Sequence, residues 1–279
     1  MPKQELTIQE IEELGYYDFM AYLEVPYFNV GGEPSLDLLA ERCGINKDSH
    51  VLDVGCGTGG NSVHLAEKYG CMVTGIDISE LMIGRAKNRI ENSGLGDRLL
   101  FQVGDAYNLD FPDESFDIVL TIFVSQFLDL DKAFPEFNRV LKHGGYLGIN
   151  EMYRDADIPE KNREKANTAE QVFRELTELP FSLRSPERWS RGFEDAGFQD
   201  VSVEFFSQLI SVERGLEMVT EMGGWWSFLK MLWKTLELGL RSPKIWKRYA
   251  EINKGKRVMF RDPETNKYFG YVLGVGRKE

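Results

Sequence analysis

The sequence predicts an α/β chain built on a mostly parallel sheet of seven strands with helices on both faces. Three observations carry that expectation. The first is Val51-Leu52-Asp53-Val54-Gly55-Cys56-Gly57-Thr58-Gly59-Gly60, an apolar, β-branched run that breaks into glycines and then into the helix-forming Ser62 to Tyr69. It reads as strand, tight turn and helix. The second is a further apolar run, Met72 to Ile76, closed by Asp77 about twenty residues past the turn. The third is the recurrence of short apolar runs at 99–103, 116–121, 146–151, 201–209 and 268–276, with helix-length amphipathic stretches between most of them.

Each part of the turn has a physical reading. Glycines bend the backbone sharply and bring it within contact distance of a ligand, while the free N–H groups that open the next helix face the same space. A glycine-rich hairpin is the alternative, but Asp77 stands where an acid accepts both hydroxyls of a ribose, which implies an adenosine-type cofactor. The spacing Gly55-x-Gly57-x-Gly59 departs from the dinucleotide pattern G-x-G-x-x-G. Asp53, two residues ahead of the first glycine, would repel a pyrophosphate and attract an ammonium or sulfonium group.

In these residues the chain resembles the class I S-adenosylmethionine methyltransferases, whose first motif has this form. The resemblance runs from about Val30 to Tyr153 and recurs in the C-terminal strands. It implies a Rossmann-like, seven-stranded, mostly parallel sheet with an antiparallel last strand. It also implies S-adenosyl-L-methionine as cofactor and S-adenosyl-L-homocysteine as product. An NAD-linked oxidoreductase on a similar fold and a non-catalytic S-adenosylmethionine-binding protein are the competing functions. The glycine spacing with Asp53 disfavours the first, and only turnover disposes of the second.

Composition bounds the rest. A chain of 279 residues, 42% of them hydrophobic, suffices for one large α/β core with elaborations. A net charge of -12 and a pI near 4.9 argue against general nucleic-acid binding. Cys43, Cys56 and Cys71 offer neither a disulfide framework nor metal-ligand spacing, so no metal is expected. With no apolar leader and no run of membrane-span length, the expectation is a soluble cytoplasmic protein. The organisation expected is an N-terminal helical and aromatic lid (1–34), a core (35–210 and 257–279), and a helical insertion capping the substrate (211–256).

At the N-terminus, Ile8, Ile11, Leu14, Phe19 and Leu23 keep roughly helical spacing broken at Gly15. Tyr16, Tyr17, Tyr22, Tyr27 and Phe28 precede Gly31-Gly32 and a helix from Ser35 to Arg42. This is similar to the N-terminal segment of phosphoethanolamine, sterol and quinone-ring methyltransferases. That resemblance implies a segment closing over the cofactor, with Tyr16 and Gly32 among its contacts; plain packing on the sheet edge is the alternative. In the core the resemblance assigns cofactor contacts to Asp53, Gly55, Cys56, Gly57, Gly59 and Asn61, to Asp77, Ile78 and Met82, and to Ile122. It gives Asp105 the adenine amino group and the Ala106 N–H the ring, although Asp105 also suits a plain turn acid. Ser79 is placed to cap a helix that ends near Gly94.

After the fourth strand, many relatives carry histidines that assist the chemistry; here Gln126 and Phe127 stand there, which puts histidine-assisted O-methylation in doubt. His50, His64 and His143 are expected to be structural or exposed, the last in a turn, Lys142 to Gly145, leading into the fifth strand. That strand delivers Asn150 and Glu151 to the ligand end. Tyr17 and Glu151 are the catalytic candidates, on position alone. A loop is expected from Met152 to Arg163, with helices over 166–178 and from Trp189 to Ala196.

About 55 residues separate the last two strands, where a short link would serve. Within them Trp225, Phe228, Leu229, Leu232, Trp233, Leu236 and Leu240 fall on one helical face, with Ser227, Lys230, Lys234, Glu237 and Arg241 on the other. Residues 241–257 carry seven bases against Glu251. The helix is expected either to pack on the core with a solvated basic rim, or to line a lipophilic pocket or rest on an anionic membrane. The function expected is methyl transfer to a small, apolar or amphiphilic molecule entering between the N-terminal segment and this helix. The acceptor atom and the oligomeric state are not legible.

Overall fold

Val51, Leu52 and Val54 are buried on both faces of the strand His50–Val54 (β1), as befits the middle of a parallel sheet covered by helices. The computed structural model describes residues 6–23, 31–207 and 225–279. Around β1 lie Met72–Asp77 (β2), Leu99–Val103 (β3), Phe116–Ile122 (β4), Leu141–Arg154 (β5), Gln199–Ser207 (β6) and Phe269–Arg277 (β7). Their order is β3-β2-β1-β4-β5-β7-β6. Only β7 runs against its neighbours, β5 and β6. The order reverses between β1 and β4, so the carboxyl ends of β1, β2 and β4 frame a crevice where such sheets bind ligands.

The helices are Ile8–Glu13 (α1), Tyr16–Tyr22 (α2), Gly32–Arg42 (α3), Gly60–Tyr69 (α4), Glu80–Ser93 (α5), Leu130–Val140 (α6), Glu160–Thr177 (α7) and Pro186–Asp195 (α8). Leu36, Leu39, Leu65, Ile83, Phe101 and Phe173 belong to one hydrophobic core, and Phe134, Phe137, Trp189 and Phe193 to a second. Each such side chain, wholly withdrawn from water, contributes about 1.5–3 kcal/mol. Ser79 caps α5 by accepting from Met82 N at 3.0 Å, and Gly94 ends that helix in a left-handed conformation.

Several boundaries differ from the sequence expectation. Lys142 to Gly145 is not a turn ahead of β5 but an irregularity within it: pairing with β4 passes from Phe116 opposite Leu141 to Ile118 opposite Tyr146. β5 also runs on to Arg154, because β7 pairs with it as far as Phe269. α7 then starts at Glu160, inside the expected loop, and α3 starts at Gly32. Tyr27, Phe28 and the end of the sixth strand expected at 208–209 lie outside the described residues.

Among its described residues the insertion supplies the helices Trp225–Arg241 and Pro243–Phe260. The apolar stripe of the first neither packs on the sheet nor lines the crevice. Trp225, Trp233 and Leu240 are 60%, 70% and 78% exposed. The inward side is Lys234 and Leu238, four residues apart and therefore on one face. Leu238 joins Ile11, Tyr16, Phe19, Met20 and Ile245 in a third, small core. Lys234 Nζ donates to Tyr22 O at 2.6 Å and sits 4.0 Å from the centre of the Tyr22 ring. Arg248 donates to Leu14 O at 2.8 Å. The Lys234 bond, with Leu238 buried, sets the rotation of the first helix and leaves its stripe outward, while the Arg248 bond ties the second helix to the N-terminal segment.

The N-terminal helices therefore rest on the insertion, through a core separate from the two beside the sheet. Truncation of Leu238 to Ala should remove about 2–5 kcal/mol from that small core alone. The expected result is faster hydrogen exchange over residues 8–22 with the sheet amides unchanged. Equal acceleration in β1 and β4 would show that the small core is not an independent unit.

Candidate active site

The crevice at the carboxyl ends of β1, β2 and β4 holds a cavity of about 320 Å³, in the size range of small-molecule sites. Its floor is the glycine turn. Gly55 and Gly57 have φ of +72° and +54°, a region that L side chains rarely enter. A Cβ on Gly55 would come within 2.4 Å of the Val124 side chain, whereas one on Gly57 would meet nothing within 4 Å. Gly55 is thus required by close approach to the chain after β4, and Gly57 opens onto the cavity.

Asp77, the last residue of β2, joins the parts. Its Oδ2 accepts from Gly57 N and its Oδ1 from Ser79 N, both at 2.9 Å. Burial pushes its carboxyl up from the usual value, against the pull of these N–H groups. Each oxygen keeps a lone pair, so the carboxylate is fixed in place and still able to accept. The Ser79 hydroxyl donates in turn to Asp18 of α2, tying the N-terminal segment to the end of β2.

A second buried acid supports the opposite wall. Glu151 Oε1 accepts from Val124 N at 3.0 Å and Ser125 N at 2.8 Å, while Oε2 is buried with no hydrogen-bond partner among the described residues. Burial pushes Glu151 up to about 7, with the Ser125 and Val124 N–H groups opposing. The turn it holds starts at Phe123, whose φ of +62° is costly for a bulky side chain. Phe123, Val124 and Phe127 line the cavity, but Glu151 stands behind them. The structure therefore makes Glu151 a positioning group for the turn and not a direct contact of the cavity.

Tyr17 does reach the cavity, its ring edge-on to Phe127 at 5.5 Å and to Tyr16 at 5.1 Å. Burial, then the nearby Tyr16, Asp77 and Glu151, hold its phenol well above its ordinary pKa. At neutral pH it is a hydrogen-bond donor and not a base.

Among the expected cofactor contacts, Gly55, Cys56, Gly57, Asn61, Asp77, Ile78, Met82, Asp105, Ala106 and Ile122 line the cavity. Tyr16, Gly32, Asp53 and Gly59 do not. Tyr16 turns into the small core, where burial raises it to about 12. Gly32 opens α3, and Gly59 packs on Phe101 and caps α4. Asp53 is buried beneath the turn and bound by the Ser62 hydroxyl at 2.5 Å; burial raises it to about 6. Asp105, at the rim, accepts from Tyr107 N at 2.9 Å. Leu179 and Pro180 complete the wall facing Tyr17; they follow a plain amphipathic helix, and no motif in the sequence marks them. His50, His64 and His143 bind Thr74, Asp37 and Glu114 respectively and lie outside the cavity.

Three features fit an adenosyl sulfonium cofactor: the fixed Asp77 carboxylate, the open face of Gly57, and Asn61 Oδ1, a buried acceptor with no partner among the described residues. Among the described residues, Asp77 and Asp105 carry the only charges in the lining, and the end formed by Tyr17, Phe123, Phe127, Leu128, Leu179 and Pro180 carries none.

Residues 52–149 match the model of a methyltransferase domain. An uncharacterised protein of Haemophilus influenzae is 30% identical over 68% of this chain and 74% of its own length. A sterol 24-C-methyltransferase of Gibberella zeae is 42% identical over 44% of this chain, a match that spans only 34% of that enzyme. The phosphoethanolamine N-methyltransferase 2 of Haemonchus contortus, solved with S-adenosyl-L-methionine, shares the fold at 19% identity, with a TM-score of 0.68 over 100% of this chain and 61% of that one.

Two measurements check the site. Asp77→Ala should weaken binding of S-adenosylhomocysteine by about 1.5–3 kcal/mol, roughly 10- to 150-fold in Kd; calorimetry with unchanged affinity would remove Asp77 from the site. Glu151 holds its proton more tightly in the folded than in the unfolded chain. Its contribution to stability is therefore full below about pH 4.5 and is lost as pH rises through about 7, on the order of 3 kcal/mol in all. Glu151→Gln should narrow its stability deficit, or gain over the parent, steadily between pH 5 and 8 in urea melts; a pH-independent difference would mean that Glu151 is ionised throughout.

Proposed function

The chain belongs to the class I S-adenosylmethionine-dependent methyltransferases, and from that premise we propose that it methylates a small, apolar or amphiphilic molecule. The observation that carries this reading is the uncharged, aromatic end of the cavity, set against the acid-bearing end where the cofactor belongs. Support also comes from the sterol enzyme it resembles and from neighbours of the same fold solved with geranyl diphosphate. The sterol enzymes are matched over only 30% to 52% of their lengths, so the acceptor is argued from this cavity. The buried free thiols of Cys43, Cys56 and Cys71 support a reducing, cytoplasmic setting.

In this reading Asp77 holds the ribose hydroxyls, Asp105 and Ala106 the adenine, and Gly55 to Gly57 with Asn61 the methionine end. The bound cofactor supplies a methyl group on a sulfonium. Because that transfer disperses a charge already present, the protein's work is alignment and exclusion of water. Phe123, Phe127, Leu179 and Pro180 confine the acceptor. Tyr17, protonated at neutral pH, donates a hydrogen bond to the acceptor's polar atom. Glu151 keeps the Phe123–Ser125 turn in its strained form, so that the apolar wall stays at a fixed distance from the glycine turn.

Incubation with methyl-labelled S-adenosylmethionine and separate lipid and polar extracts tests the proposal. Label is expected in the lipid extract; label confined to the polar extract would refute the apolar acceptor, and label in neither would favour a non-catalytic binder. Tyr17→Phe should slow turnover by about 3- to 10-fold, the usual worth of one neutral hydrogen bond, with affinity for S-adenosylhomocysteine unchanged. No loss of rate would show that the phenol does not touch the acceptor.

A further inference from the structure

The outward stripe of the helix Trp225–Arg241 is an exposed apolar feature that the methyl-transfer site does not use. Trp225, Trp226, Leu229, Trp233 and Leu240 are each at least half exposed. Trp246, on the next helix and 55% exposed, extends it. It lies against Gly239, where any Cβ would come within 2.5 Å of the indole, so the two helices cross closely enough to present their tryptophans together. Exposed apolar patches of this kind mark interaction sites.

The charge of the same two helices decides between occupants. Residues 225–260 hold nine basic side chains and two acidic ones, in a chain whose net charge is -12. Lys230, Lys244, Lys247 and Lys254 are all exposed, and Lys230 Nζ sits 5.9 Å from the Trp226 ring. Tryptophan and leucine beside lysine suit the headgroup region of an anionic bilayer, where indoles settle at the interface and ammonium groups meet lipid phosphates. Protein interfaces are depleted in lysine. A two-fold pairing of this face with itself would bring like charges together.

We propose that the face formed by the helix Trp225–Arg241 and Trp246 docks on the surface of an anionic lipid bilayer. The surface lies in the interface plane and does not cross it: among the described residues no helix is long and apolar enough to span a membrane. Docking bears on the N-terminal segment, because Leu238 and Ile245 share the small core with Tyr16 and Phe19, next to Tyr17 at the cavity. The inference stands apart from the choice of acceptor, and its test does not involve turnover.

Flotation of the full chain with phosphatidylcholine vesicles, with and without phosphatidylserine, tests it. Binding is expected only to vesicles containing phosphatidylserine, with a blue shift of tryptophan emission and a loss on adding salt. Trp226→Glu with Trp233→Glu should weaken partitioning by about tenfold or more, as expected when apolar anchors are removed. Lys244→Glu with Lys247→Glu should abolish most of the salt-sensitive part. Both double variants should bind S-adenosylhomocysteine as the parent does, which shows that they are folded. No vesicle binding, equal binding to neutral vesicles, or unchanged binding by the charge variant would overturn the proposal. So would a parent dimer in vesicle-free solution that Trp226→Glu with Trp233→Glu converts to monomer, because the face would then belong to a second copy.

Discussion

The site depends on one carboxylate. Asp77 accepts from Gly57 N on the turn after β1 and from Ser79 N at the start of α5, and thereby joins two strand ends that the sheet ladder alone leaves side by side. A loop with φ values as unusual as those of Gly55 and Gly57 would otherwise sample several forms. Held by Asp77, its backbone faces the cavity in a single form before any ligand arrives, which reduces the ordering cost of binding. Through Ser79 and Asp18 the same constraint reaches α2 and places Tyr17 above the cavity.

Glu151 repeats the principle on the other side of the crevice. A fully buried acid is costly, and its rise to about 7 records that cost. What it maintains is the turn at Phe123, a conformation an isolated chain would avoid. Val124 then lies so close to Gly55 that no Cβ would fit between them. The glycine turn and the turn at Phe123 are thus packed together, the first held by Asp77 and the second by Glu151.

How much of this was legible in the sequence follows from where the constraint resides. The glycine turn and Asp77 were legible because chain spacing carries each of them to a strand end; Asp105, after β3, and Met82, in the first turn of α5, were implied by the family resemblance, and both line the cavity. The antiparallel β7 was implied by the family resemblance, and the insertion before it was legible from the length of chain between the last two strands. Tyr16 and Tyr17 were not separable, since they differ only in which side of one helical turn meets the cavity and which meets Phe19 and Leu238. The stripe on the helix Trp225–Arg241 was read correctly as a stripe, but periodicity says which residues share a face and not what that face meets. Here Lys234, through its bond to Tyr22 O, and Leu238 take the inward side. Glu151, a catalytic candidate on position alone, does not line the cavity, and the hydrogen bonds of Val124 and Ser125 show it behind the wall.

The most direct test is the crystal structure of the chain grown with S-adenosylhomocysteine. The account predicts electron density for the ribose at Asp77, with the Gly57 N and Ser79 N hydrogen bonds retained and the space between Tyr17, Phe127 and Leu179 left for the acceptor. Density for the nucleoside elsewhere, or a glycine turn that changes its backbone conformation and releases Asp77 when the ligand binds, would contradict it.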